Sequence, residues 1–97
     1  MIPAIAYDKA NEGLPKQIDP ITTLEHVEIK GRDVHYFYRL SETVPLTSGE
    51  VMKAGLGPNA CTYWKPKFQS GEFTSAVYNY SFKDGNSSFV LDQFVCK

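Results

Sequence analysis

The residues whose type and spacing first suggest chemistry are the two histidines, His26 and His35. They flank a Lys30-Gly31-Arg32-Asp33 turn signal, so they fall on adjacent strands of a predicted hairpin, facing each other from its solvent side. Two imidazoles held across a strand pair grip Zn2+ or Cu2+ when a carboxylate completes the set, and Glu28 or Asp33 is close in sequence. The plainer reading of the same pair is two surface histidines with no metal between them.

Cys61 and Cys96 are the other reactive pair. Chain termini fray because few contacts hold them, so a cysteine at the penultimate position makes most sense if it is tied to Cys61. Closing this loop of roughly 35 residues would contribute about 3.8 kcal/mol on the chain-entropy account, a large share of a typical stability of about 5–15 kcal/mol. A disulfide there also places the protein in an oxidising compartment. The alternative is two free thiols, one buried and one on a frayed end.

Other catalytic signatures are missing. A cysteine nucleophile needs a thiolate beside a base, and both cysteines are spent on the expected disulfide. No serine lies in a Gly-x-Ser-x-Gly elbow. Nothing singles out two of the eleven carboxylates as an acid–base pair. Gly55-Leu56-Gly57-Pro58-Asn59 lacks the Lys-Ser/Thr of a phosphate loop and reads as a helix break. The expectation is a protein that is not an enzyme and carries no cofactor.

Composition bounds the remaining classes. A chain of 97 residues reads as one domain over 1–97. A formal net charge of -1, without blocks of like charge, gives no footprint for nucleic acid or an anionic membrane. The apolar runs are too short to span a bilayer. Met1 to Ala6 lacks the basic and long apolar regions of a signal peptide, so an exported protein would be written here in its mature form with an initiator Met1.

These residues need elements to position them. Pro3 to Glu12 predicts a short helix, and Leu14-Pro15 and Asp19-Pro20 then force extended chain. Ile21 to Lys30 and Val34 to Leu40 read as strands. In the second, Val34, Tyr36, Tyr38 and Leu40 line the core face, and His35, Phe37 and Arg39 the other. Thr47 or Ser48, with Glu50, opens a helix broken near Gly55–Pro58 and resumed at Asn59. The resumed stretch carries Cys61, Trp64 and Phe68, and Gly71 ends it. Phe73 to Phe82 reads as a third strand, with Ala76, Tyr78, Tyr80 and Phe82 alternating against Val77, Asn79 and Ser81. An Asp84-Gly85 turn leads to a fourth over Phe89 to Cys96. Val34-Tyr36-Tyr38 and Ala76-Tyr78-Tyr80 form similar stripes in the two halves. The expected fold is α+β: a four-stranded antiparallel sheet with helices on one face, in the order α-β-β-α-β-β.

That layout resembles small exported proteins of Gram-negative bacteria. The shared features are a short helix, Leu14-Pro15, Ile18-Asp19, Thr23-Leu24, the Gly31 turn and Tyr36-x-Tyr38-x-Leu40. They continue with Cys61, Gly71, Tyr78-x-Tyr80, Asp84-Gly85 and the terminal Cys96. The usual proline soon after the first cysteine is displaced here to Pro66. The resemblance implies export to the periplasm and a disulfide, and it brings no activity or site residues with it.

What remains is surface. With helices on one face, the other carries His35, Phe37, Arg39, Val77, Asn79 and Ser81, and a Phe beside Arg and His matches the composition of interface anchors. Tyr63-Trp64, with Lys65 and Lys67, is a second candidate patch. The alternatives are a Phe37 buried under a loop and a Trp64 packed in the core beside Cys61. The expected function is an exported envelope binding protein acting by protein–protein contact, such as an inhibitor or immunity factor against a secreted effector or hydrolase. Behind it stand an accessory subunit of an envelope or secretion assembly, including self-association as a homodimer, and a metal-binding protein or small enzyme using His26 and His35.

Overall fold

A computed structural model describes residues 13–97, and the predicted helix over residues 3–12 lies outside them. The described chain runs β1 (Lys16–Asp19), β2 (Thr22–Lys30), β3 (Asp33–Leu40), α1 (Gly49–Ser70), β4 (Ser75–Phe82) and β5 (Gly85–Asp92). The strands form one five-stranded sheet in the order β1-β2-β3-β4-β5. All neighbours are antiparallel except β3 and β4, which are parallel.

The expected four-stranded antiparallel sheet in α-β-β-α-β-β order is therefore incorrect: the sheet is mixed, has five strands, and the order is β-β-β-α-β-β. The cause is the length of α1. Its 22 residues span about 33 Å, enough to return the chain along the whole of β3, so that β4 starts from the same end as β3. A parallel pair requires such a crossover. The extra strand, β1, is four exposed residues between Pro15 and Pro20, too short to show an alternating pattern.

The helix is continuous where a break was expected. Ser48 caps its start, its side chain accepting from the Val51 amide at 3.3 Å. Gly71 ends it in the left-handed region at φ 78°, its amide donating to the Phe68 carbonyl at 3.2 Å. Pro58 and Pro66 lie inside it. A proline removes the donor to the carbonyl four residues back, here those of Ala54 and Thr62. Both residues are exposed, so these carbonyls are not left buried without a partner. The buried stripe is Gly57, Trp64 and Phe68, and its packing outweighs the two interruptions.

The first face of the sheet is built in rows that run across strands. Register places Val27, Tyr36, Tyr78 and Phe89 side by side, then Leu24, Tyr38, Tyr80 and Ser87, and in a third row Ile29, Val34, Ala76 and Leu91. The two similar sequence stripes thus lie next to each other, residue against residue, in the parallel pair. Tyr38 stacks on Tyr80 at 4.8 Å and Tyr78 on Phe89 at 4.9 Å between ring centroids. Trp64 of α1 closes over this ladder at 2% exposure, meets Tyr36 edge-on, and donates its indole N–H to the Tyr78 hydroxyl at 2.9 Å. Burial pushes the phenols of Tyr36, Tyr38 and Tyr78 up, and that of Tyr80 to about 12.

Cys61, in α1, is bonded to Cys96. The expected strand Phe89–Cys96 is shifted: β5 is Gly85–Asp92, and the chain then turns up toward the helix. Asp92 holds that turn, its side chain accepting from the Phe94 and Val95 amides at 2.9 and 3.0 Å and its carbonyl from the Cys96 amide at 2.8 Å. In the middle of β5, Gly49 lies against Ser88. A Cβ on Gly49 would collide with the Ser88 backbone carbonyl, so only glycine permits this approach.

Candidate functional site

The open face of the sheet carries the alternate residues of the same strands, and register arranges them as a grid. From the Gly31 turn downward, the rows are Lys30, Asp33, Ser75 and Asp92; Glu28, His35, Val77 and Val90; His26, Phe37, Asn79 and Ser88; and Thr23, Arg39, Ser81 and Asn86. All six residues predicted for this face, His35, Phe37, Arg39, Val77, Asn79 and Ser81, therefore form one contiguous patch.

Tyr63 and Trp64, of the second predicted patch, do not join it. Tyr63 is 59% exposed on α1, on the opposite side of the sheet, with the Lys67 ammonium 5.1 Å from its ring centroid. Trp64 is a core residue, as its alternative reading held, and offers no side-chain surface to a partner. The patch based on Tyr63-Trp64 is thus reduced to Tyr63.

His26 and His35 both reach the open face but are not opposite each other. The loop of the first hairpin is Gly31-Arg32, and counting outward from Lys30 and Asp33 pairs Glu28 with His35 and His26 with Phe37. The His26 and Phe37 rings stack at 4.3 Å with their planes 9° apart. His26 Nε2 lies 3.8 Å from Glu28 Oε2. Among the described residues no group of three or more His, Cys, Asp or Glu is placed to hold a metal ion. A β-bulge between Leu24 and His26 brings Glu25 to the same region, where its carboxylate lies 3.9 Å from Arg39 Nε.

Around these groups runs a groove of about 370 Å3 lined by Glu25, His26, Phe37, Asn79, Ser81 and Ser88, among others. Asn79 is fixed in it, its side-chain amide donating to the Tyr36 carbonyl at 3.1 Å. At the top of the face the Asp33 carboxyl is held below its usual range by hydroxyl donors from Thr74 and Ser75, each at 2.7 Å. Sequence reasoning did not place Ser88 and Asn86 in the site. The Lys83-Asp84 loop was the available signal: counting outward from Phe82 and Gly85 sets Ser88 against Asn79 and Asn86 against Ser81.

With this geometry in hand, the chain can be set against known proteins. No family model matches it, and no curated protein does. A crystal structure of a candidate secreted protein from Pseudomonas aeruginosa is similar, with a TM-score of 0.65 at 13% identity over 97% of this chain and 88% of that one. The likeness shows the fold. Among the described residues no helix is long and apolar enough to cross a membrane.

Proposed function

We propose that the protein is a small exported binding protein of the bacterial envelope, acting by protein–protein contact through its open sheet face. An inhibitor or immunity factor against a secreted effector or hydrolase is the form this takes. The observation that carries the reading is the contiguous patch of His35, Phe37, Arg39, Val77 and Asn79, displayed on a rigid sheet whose other face is filled by α1. Aromatic and arginine side chains on a firm scaffold suit a contact made without reorganisation.

Export is supported by the Cys61–Cys96 bond, since disulfides persist in oxidising compartments. The description of the Pseudomonas aeruginosa protein as a candidate secreted one points the same way.

The test is co-elution of the protein with an envelope partner on size-exclusion chromatography. Phe37→Ala and Arg39→Ala should abolish the complex, and Tyr63→Ala, on the other side, should leave it intact. A complex lost only with Tyr63→Ala would refute the assignment of the face. A stable homodimer without another partner would favour the assembly-subunit reading. Two reactive thiols in protein taken from cells and unfolded without reductant would remove the argument for export.

A further inference from the structure

The two lower rows of the open face form a ledge with one high side. Phe37 and His26 stand up from β3 and β2, while β4 and β5 contribute the short side chains Asn79, Ser81, Ser88 and Asn86. His26 covers one face of the Phe37 ring at 4.3 Å. Register sets Asn79 and then Ser88 beside Phe37, and these residues line a half-open groove of about 370 Å3 that also takes in Tyr38, Tyr80 and Ser87. We propose that this ledge is a saccharide-binding site for a neutral, hydroxyl-rich sugar of roughly one or two rings. This goes beyond the protein-contact reading and does not rest on it.

Three properties of the lining select that ligand class. First, the charges flanking the ledge are turned to one another: Glu25 lies beside Arg39 at 3.9 Å and His26 beside Glu28 at 3.8 Å. A charged ligand would compete with these contacts, whereas a neutral one leaves them in place. Second, the floor is made of hydroxyl and amide groups that both donate and accept, which matches vicinal sugar hydroxyls. Asn79 is preorganised for this: its amide nitrogen is committed to the Tyr36 carbonyl, which leaves its oxygen as an acceptor. Third, Phe37 is only half-buried, and a ring with exposed surface offers a stacking platform to the C–H face of a pyranose ring, as aromatic platforms do for other flat ligands.

A peptide strand is less well served here. Strand addition needs the backbone groups of a sheet edge, whereas the middle of a face offers only side chains. The apolar row above, Val77 and Val90 with Val90 45% exposed, lies outside the ledge, so a substitution there controls for effects on the face as a whole.

The experiment is a 15N NMR titration of the intact, disulfide-bonded chain with maltotriose, cellotriose and tri-N-acetylchitotriose. At least one sugar should give saturable shifts confined to the amides of Phe37, Asn79, Ser81, Asn86 and Ser88, with a dissociation constant of about 1 mM. Phe37→Ala and Ser81→Ala should each weaken it, the former about tenfold or more. Val90→Ala should leave it unchanged, and unperturbed signals from α1 would show that each variant is folded. Absence of saturable shifts in the ledge with all of these sugars would overturn the proposal, as would a titration unaffected by both Phe37→Ala and Ser81→Ala. A protein partner bound by a chain that takes no sugar would refute this inference and leave the contact reading standing.

Discussion

Strands β3 and β4 show opposite characters on their two sides. Toward the helix they place Tyr36, Tyr38, Tyr78 and Tyr80, rings stacked in a continuous ladder under Trp64. One residue along, toward the open side, they place His35, Phe37, Val77 and Asn79. Backbone, register and neighbours are shared, so the difference comes from what covers each face. On the covered side aromatic rings find partners above, below and across. On the open side a single ring pair among the described residues, His26 and Phe37, stands beside short polar groups. Stability is concentrated on one side of the sheet, and the other is the side we propose for recognition.

That division can be broken by experiment, the largest effect first. Trp64→Ala removes the lid of the ladder and its hydrogen bond to Tyr78, and should lower unfolding free energy by about 3–5 kcal/mol in a denaturant titration, whereas Phe37→Ala should cost about 1 kcal/mol. Equal losses would mean that the open face is part of the core. Removing the disulfide with Cys61→Ser and Cys96→Ser together should cost about 3–4 kcal/mol, with the midpoint shifted and the fold retained at low denaturant.

Alkaline pH should strike the covered side alone. An unfolded tyrosine loses its proton near pH 10, while the ladder tyrosines hold theirs to higher pH, Tyr80 to about 12. Their contribution is complete below about pH 10 and is lost as the pH rises through the folded value, at about 1.4 kcal/mol per pH unit for each tyrosine still protonated only in the folded state. Tyr80→Phe should flatten that fall in thermal unfolding scans. Smallest is the acid response of the open side. Asp33 titrates below its ordinary value of about 3.8, so its contribution is present above that pH and fades as the pH falls. Asp33→Asn should slightly reduce the loss of stability between about pH 4 and pH 2.

Much of this was legible in the sequence, for reasons that are local. Alternation exposed β2, β3 and β4 and assigned Tyr36, Tyr38, Tyr78 and Tyr80 to the covered face. Ser48 and Gly71 marked both ends of α1, and Cys96 announced the disulfide. What failed was non-local or masked by a local exception. Gly55, Gly57 and Pro58 suggested a break, but Pro58 lies on the exposed side of a continuous helix, where the carbonyl that loses its donor is open to solvent. Misjudging the helix as two pieces hid its length, and with it the parallel crossover that sets β3 beside β4. The histidines were misplaced because the hairpin loop is Gly31-Arg32, which sets His26 against Phe37. Half of the grid on the open face depends on the parallel register, and no short-range pattern encodes that.

The Cys61–Cys96 bond has a further consequence for a protein exposed to proteases. It closes a covalent ring that contains the second half of α1, all of β4 and all of β5, including the exposed Lys83-Asp84 loop. A single cut in that loop leaves both pieces joined, and the nicked molecule separates only when the bond is reduced. The Gly31-Arg32 loop lies outside the ring, so a cut there severs everything before it from the rest of the chain. Two hairpins of similar build thus differ in how they survive the same injury, and only the second is mended in advance.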